Sequence, residues 1–135
     1  MAENGSEVFL KNGDERMSKQ ILLNVSLTIY EGKLNEFQTI AQEMVDASRK
    51  EPGTLGYEWY LSDDGKRCRL AETYVDANAL LAHFAGPAVQ EGVPKMLATA
   101  NVSGFEVYGD PGPKAKEILG GFGAEIFSYW HGLGQ

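Results

Sequence analysis

The sequence predicts an α+β fold of the ferredoxin-like type, in which the order βαββαβ produces an antiparallel sheet with two helices on one face. Three observations carry this prediction. Apolar and polar residues alternate as in strands over residues 21–30, 55–74 and 101–109, and helical spacing separates these stretches over residues 34–48 and 76–100. The length of 135 residues also fits one compact domain, with no room for a second.

The first strand and the first helix follow from a change of period. In ILLNVSLTIY, residues 21–30, an apolar start gives way to strand-like alternation. Apolar residues from Leu34 to Val45 then recur at the i, i+3, i+4 and i+7 spacing of an amphipathic helix. Because proline and glycine interrupt helices, the EPG triplet at residues 51–53 is predicted to end this helix.

The second and third strands form a predicted hairpin with the sequence LGYEWYLSDDGKRCRLAETY. Its turn, DDGK, supplies residue types that tolerate positive φ. Pairing about this turn sets Trp59 opposite Leu70 and Tyr57 opposite Glu72. The four residues expected to share one face, a carboxylate among aromatic rings, are Tyr57, Trp59, Glu72 and Tyr74.

The second helix is predicted to begin after Asp76, a residue type that caps helix N-termini. The Gly-Pro pair at residues 86–87 interrupts it, and helical spacing resumes from Val89 to Ala100. Residues 101–109 then return to strand character, which completes the βαββαβ order.

The two ends of the chain differ in character. Residues 1–20 are polar and mixed in charge, so we expect a flexible leader outside the folded domain of residues 21–110. Residues 111–135 carry many large apolar side chains and are expected to dock on the domain or on a partner subunit. A short helix from Lys114 to Leu119 is predicted there, followed by an extended piece that adds to a sheet edge or covers a pocket.

Composition restricts the class of partner. The formal net charge is −7 and no basic patch is evident, which argues against nucleic acid and against an anionic membrane surface. No apolar stretch is long enough to cross a bilayer, and the first residues lack the pattern of an export signal. The single cysteine, Cys68, cannot form an internal disulfide. We therefore expect a cytoplasmic protein that binds a small molecule or another protein.

The second face of the sheet is expected to be covered, because the strands carry large apolar or aromatic residues at both parities. Tyr30 follows Ile29, and Tyr108 follows Val107, whereas a face left in water would show cleaner alternation. Either the C-terminal segment or a second copy of the chain covers this face. Two sheets packed face to face in a homodimer are also expected to create a closed cavity between sheet and helices.

The familiar catalytic motifs are absent from the sequence. There is no phosphate-binding glycine loop, no pair of His or Cys residues at metal-ligand spacing, and no recognisable Ser-His-Asp or Cys-His set. We therefore predict neither a metal site nor a cofactor.

Two residues are candidates for catalytic acid-base chemistry. Glu72 lies in mid-strand among aromatic rings, where burial would raise its pKa and make it a usable base. The alternative is a structural carboxylate satisfied by Arg67, Arg69 or the backbone. His83, on the flank of the second helix's apolar stripe, either carries a proton in a cavity or links helix to strand. The predicted substrate-binding residues are Tyr57, Trp59, Tyr74 and Asn24, with plain core as the alternative for the rings.

The segments EPGTLGYEWY, SDDGKR, RLAETYVDANALLAHF and GPAVQ, all within residues 51–90, resemble the antibiotic biosynthesis monooxygenase domain. The resemblance implies a dimeric α+β barrel, in agreement with a covered second face. Similar members include cofactor-free oxygenases of aromatic polyketides and quinols, an isomerase of a signalling molecule, and proteins that act on haem. By the family pattern, Tyr74 matches the third-strand aromatic, and Leu70 stands where a polyketide oxygenase has a catalytic asparagine.

Haem chemistry is not implied by the residues at the corresponding positions. The asparagine, tryptophan and histidine of the haem-degrading members align with Val25, His83 and Val93, so the axial ligand is missing.

The leading functional hypothesis is a homodimeric, cofactor-independent monooxygenase that oxidises a small electron-rich aromatic of the quinol or anthrone type with O₂. Glu72 or His83 would deprotonate the substrate, and the resulting anion would react directly with O₂. Two alternatives are a non-catalytic dimer that binds a small molecule and an isomerase that uses His83 and Glu72 as an acid-base pair.

Overall fold

A single mixed sheet with helices on one face makes up residues 19–134, the part of the chain that the computed structural model describes. The leader predicted for residues 1–20 falls almost entirely outside this range. The elements are β1 (Ile21–Ile29), α1 (Leu34–Ser48), β2 (Thr54–Leu61), β3 (Arg67–Tyr74), α2 (Ala77–Ala85), α3 (Pro87–Gln90), α4 (Gly92–Leu97), β4 (Ala100–Tyr108), α5 (Gly112–Gly120) and β5 (Glu125–Phe127). The strand order is β2-β3-β1-β4-β5, antiparallel except between β4 and β5. The predicted α+β, ferredoxin-like fold is confirmed, with a fifth strand added at one edge.

The inner face of the sheet forms the core because alternate side chains of each strand point to the same side. Along β1, residues from Ile21 to Ile29 alternate between buried apolar side chains and more exposed ones, which are polar except for Leu22. One core cluster lies under α1, where Phe37 and Met44 are buried, and a second lies under α2 and α5. Helices therefore cover only this side of the sheet.

The hairpin of β2 and β3 has the predicted register, with Tyr57 opposite Glu72 and Trp59 opposite Leu70. Its turn is closed by Asp64, whose carboxylate accepts hydrogen bonds from the Ser62 hydroxyl and from the backbone N–H of Lys66. The glycine beside Asp64 has φ of 70°, a conformation that side chains disfavour. Local turn chemistry thus determines which residues share a face.

A bulge in β4 corrects the expectation that this strand has large apolar residues on both faces. The register against β1 shifts between Ser26 and Leu27, so that Val102 pairs with Leu27 and Phe105 with Val25. Val102, Phe105 and Val107 consequently all lie on the inner side, because one extra residue reverses the alternation. The outer face keeps only scattered exposed rings, among them Tyr60, which is 60% exposed, and Tyr108.

The C-terminal segment is built into the fold through α5 and β5. Ala115 and Leu119 of α5 are fully buried in the second core cluster. Strand β5 pairs in parallel with β4, placing Ile126 beside Val107, and so extends the sheet at its edge. Beyond β5, Trp130 is 89% exposed.

Among the described residues there is no helix with the length and hydrophobicity that crossing a bilayer requires.

Candidate active site

A cavity of about 450 Å³ lies between the inner face of the sheet and the helices of the same chain. Strands β1 to β4 and helices α1 to α5 all contribute to its wall, which is largely apolar. The expected cavity between sheet and helices is present within one chain, because its helices already provide the wall opposite the sheet. The volume falls in the range of small-molecule sites, and typical apolar lining residues are Leu23, Val25, Met44, Val93 and Phe105.

The hairpin brings three of the predicted residues to the cavity wall: Tyr57, Trp59 and Glu72. They share the inner face because of the register, and Glu72 is only 6% exposed. Tyr74, next along this face, is fully buried and does not line the cavity. Its hydroxyl instead donates a hydrogen bond to Oε1 of Glu72. Tyr74 is therefore placed to position the carboxylate and not to contact a ligand.

Helix α2 carries His83 into the same site. Asp76 caps this helix by accepting a hydrogen bond from the backbone N–H of Ala79, which stabilises the N-terminal end of the helix. The imidazole is 2% exposed, and its Nε2 lies 3.8 Å from Oε1 of Glu72. The rings of Tyr57 and Tyr74 pack around it, with centroid distances of 5.3 and 5.2 Å. His83 and Glu72 thus lie together at the cavity wall.

Glu51 completes the site and was missed by the sequence analysis. Its Oε1 lies 2.7 Å from Nδ1 of His83 and also accepts a hydrogen bond from the Thr54 hydroxyl at 2.7 Å. The loop that carries Glu51 packs tightly on α2, since a Cβ at Gly53 would come within 2.4 Å of the Ala79 side chain. The glutamate of the EPG triplet, which directly precedes the proline and glycine that end α1, is the signal that could have identified this residue.

The contact with Glu51 fixes which nitrogen of His83 carries the proton. An ionised carboxylate only accepts hydrogen bonds, so Nδ1 is the donor, and in the neutral imidazole the free lone pair is then on Nε2. Nε2 is the atom nearer to Glu72. The arrangement Glu51, His83, Glu72 therefore sets a basic nitrogen between two carboxylates.

The pKa values of the surrounding groups follow from burial. Burial raises the pKa of Glu72 above its ordinary value, while the nearby His83 and the hydrogen bond from Tyr74 partly offset that rise. Burial, with a further contribution from the charge of Glu72, also raises the pKa of Tyr57 and of Tyr74 well above the ordinary value. Both phenols stay protonated at neutral pH, so they act as hydrogen-bond donors and leave the role of base to Glu72 and His83.

Trp59 provides an unused hydrogen-bond donor at the site. Its indole packs edge-to-face against Phe37 and Tyr57, with centroid distances of 5.9 and 5.8 Å. Its Nε1 is buried and has no acceptor among the described residues. A buried donor without a partner is unfavourable by about 1–3 kcal/mol, which a ligand with a suitable acceptor would relieve.

Asn24 is not brought together with the other predicted site residues. It lies on the outer face of β1, where it lines a separate polar depression together with Ser26, Arg69 and Glu106. The alternation of β1 accounts for this position, because Leu23 and Val25 on either side point inward. Within residues 19–134, no group of three His, Cys, Asp or Glu side chains has the arrangement needed to hold a metal ion.

Comparison with known proteins supplies a family match for this chain. Residues 20–95 match the sequence profile of the family described as antibiotic biosynthesis monooxygenase. No curated protein sequence matches the chain.

Several solved structures share the fold. MupZ from Pseudomonas fluorescens is 22% identical, with a TM-score of 0.75 over 85% of this chain and 93% of that one. Protein SO0527 from Shewanella oneidensis is 27% identical, with a TM-score of 0.57 over 67% of this chain and 87% of that one. SnoaB from Streptomyces nogalater, a cofactor-independent oxygenase, is 12% identical, with a TM-score of 0.61 over 70% of this chain and 96% of that one.

Proposed function

The chain belongs to the antibiotic biosynthesis monooxygenase family, and from this premise we propose that it is a cofactor-independent monooxygenase acting with O₂ on a small electron-rich aromatic of the quinol or anthrone type. One observation carries the proposal: the arrangement Glu51, His83, Glu72 lies beside an otherwise apolar cavity. Such a site can ionise a weakly acidic aromatic while keeping water away from it. SnoaB, a cofactor-independent oxygenase of the same fold, supports the reaction class.

In the first step, Nε2 of His83 takes a proton from the hydroxyl or the acidic C–H of the substrate. The imidazolium that forms is stabilised by Glu51 on Nδ1 and by Glu72 at 3.8 Å from Nε2. Tyr57 and Trp59 line the cavity, and the unpartnered Nε1–H of Trp59 would donate a hydrogen bond to the developing oxyanion. The protein thus supplies the base and orients the substrate anion.

In the second step, the anion transfers electrons to O₂ and a carbon–oxygen bond forms. The peroxide takes its proton from the His83 imidazolium. For an anthrone, loss of the second C–H proton and cleavage of the O–O bond then release water and leave a carbonyl. One oxygen atom of O₂ stays in the product and the other leaves as water, so substrate and O₂ balance without a further reductant.

Oxygen consumption with a panel of hydroquinones and anthrones tests the proposal. Wild type is expected to consume O₂ with at least one member, and His83→Ala and Glu72→Gln to lose at least about tenfold in rate, a typical contribution of an acid-base group. Lys116→Gln, a substitution on the exposed side of α5, is the matched control and should keep the wild-type rate. No turnover with any compound, or unchanged turnover in both site variants, would remove the assignment.

An isomerase is a second candidate, favoured by the imidazole and carboxylate 3.8 Å apart. Such a pair can remove a proton at one carbon and return it at another without any oxidant. Product formation that is equally fast without O₂ would select this reaction. A ligand that stays bound and unchanged under air would instead identify a non-catalytic binding protein.

The exposed outer face of the sheet supports a homodimer. Tyr30, Tyr60 and Tyr108 are each more than a third exposed there, among polar residues. Strand β5 extends the sheet edge and leaves the face over β2 and β3 uncovered. Two copies packed through this face would bury these rings, and the cavity on the opposite side of each sheet would remain separate.

A further inference from the structure

The polar groups that line the cavity fall into two sets. One set is buried and consists of the acid-base groups at the sheet, with Glu72 6% and His83 2% exposed. The other set is exposed and consists of Gln90 on α3 and Lys114 on α5. Since these residues are accessible to solvent and also line the cavity, they mark its mouth. The side-chain amide of Gln90 already donates to the carbonyl of Phe84 at 2.7 Å, which leaves Lys114 as the available group.

Lys114 is the one lysine or arginine among the cavity-lining residues that the structure describes. Within residues 19–134, no carboxylate lies close enough to form a salt bridge with it, whereas Lys116 on the same helix lies 3.9 Å from Asp110. A free cation at the mouth of an apolar cavity is notable in a chain whose net charge is −7. It attracts anions to a protein that otherwise repels them.

Helix α5 holds this cation in place. Ala115 and Leu119 are fully buried in the second core cluster, while Lys114 and Ile118, one turn apart, line the cavity. The match to the family ends at residue 95, so α5 lies outside it.

We propose that the substrate of this cavity carries a carboxylate, or an equivalent anionic group, that Lys114 binds at the mouth while the aromatic part lies against Tyr57 and Trp59. The inference rests on the proposed function of the cavity as the substrate site. Helix α5, which carries Lys114, is then the element that selects acidic aromatic substrates over neutral ones of the same size.

Binding of two matched probes tests this selection without any turnover. Anthracene-2-carboxylate and its neutral carboxamide are titrated by fluorescence into wild type, Lys114→Gln and Lys116→Gln at low and high salt. Wild type should prefer the carboxylate by about fivefold at low salt, the upper range for one solvent-accessible ion pair, and less at high salt. Lys114→Gln should lose the preference, and Lys116→Gln should keep it.

Each other outcome counts against the inference. Equal affinity of wild type for both probes, a preference that survives in Lys114→Gln, or no binding of either probe would overturn it. The result of the oxygen-consumption assay does not depend on the result of this binding experiment. A preference for the carboxylate without oxygen consumption would exclude the oxygenase activity and support an acidic ligand. Oxygen consumption without this preference would support the oxygenase activity and exclude the acidic ligand.

Discussion

Nδ1 of His83 lies 2.7 Å from Oε1 of Glu51, although 32 positions separate the two residues in the sequence. The contact joins the loop after α1 to the last turn of α2, and both partners are largely buried. It holds the imidazole in one tautomer and leaves Nε2 on the side of Glu72. The acid-base chemistry proposed for the cavity depends on this orientation.

Replacing Glu51 with glutamine tests its role as a positioning residue. The amide can still accept the hydrogen bond from Nδ1 of His83, but the negative charge that stabilises the imidazolium is gone. We expect kcat to fall about tenfold with little change in KM, since hydrogen bonds to charged groups contribute about 1.5–3 kcal/mol. Steady-state kinetics measure this, with Glu43→Gln on the exposed side of α1 as control. Equal kcat in both variants would show that Glu51 is only structural.

Replacing Glu72 with glutamine should stabilise the protein in a pH-dependent way. The pKa of Glu72 in the folded chain is raised above the ordinary value of 4.5. At any pH between 4.5 and the folded-state pKa, the carboxyl group of Glu72 is protonated in the folded chain and ionised in the unfolded chain. Wild-type stability therefore falls as pH rises through this window, by about 1.4 kcal/mol for each unit of pKa difference. Glu72→Gln avoids this loss and still accepts the hydrogen bond from Tyr74.

Urea denaturation of wild type and Glu72→Gln from pH 4 to pH 8 measures the effect. The variant should gain stability relative to wild type as pH rises, while Glu125→Gln, at an exposed position of β5, should follow wild type. A constant difference across the range would contradict a raised pKa of Glu72.

Truncating Leu119 should destabilise the whole domain, because α5 shares the second core cluster with Ile21 and Val107. For a fully buried leucine, the change to alanine lowers the free energy of unfolding by about 2–5 kcal/mol. Ile118→Ala, at an exposed position of the same helix, should cost clearly less. Comparable small losses in both variants, seen in denaturant unfolding, would mean that α5 is not part of the cooperative unit.

A charge on the outer face of the sheet should disrupt the proposed homodimer. Light scattering is expected to give the mass of two chains for wild type and of one chain for Tyr60→Glu, because a carboxylate in the middle of a buried interface is unfavourable. Lys50→Glu, on the helix side, should remain dimeric. A monomeric wild type, or a dimer that tolerates Tyr60→Glu, would exclude this face as the interface.

Local patterns in the sequence were sufficient for the elements and for the hairpin face. The DDGK turn determines the pairing of Tyr57 with Glu72, and alternation along β1 determines which side chains face the helices. The same alternation places Asn24 on the outer face of the sheet. The prediction of Asn24 as a substrate-binding residue therefore disagrees with the alternation of polar and apolar residues along β1.

Features that depend on tertiary packing could not be predicted. The bulge in β4 requires only one extra residue near Gly104, and the sequence does not show where the register shifts. The contact of Glu51 with His83 depends on how the loop after α1 packs against α2. Nor does the spacing of apolar residues on α5 reveal that Lys114 lies over a cavity.

The central claim is that the buried groups around His83 ionise a bound aromatic. Absorbance of an anthrone bound without O₂ at neutral pH tests it most directly, because the anion and the neutral form absorb at different wavelengths. The account predicts the anion in wild type, much less of it in Glu51→Gln, and only the neutral form in His83→Ala. A neutral ligand in wild type, or the same fraction of anion in all three proteins, would contradict it.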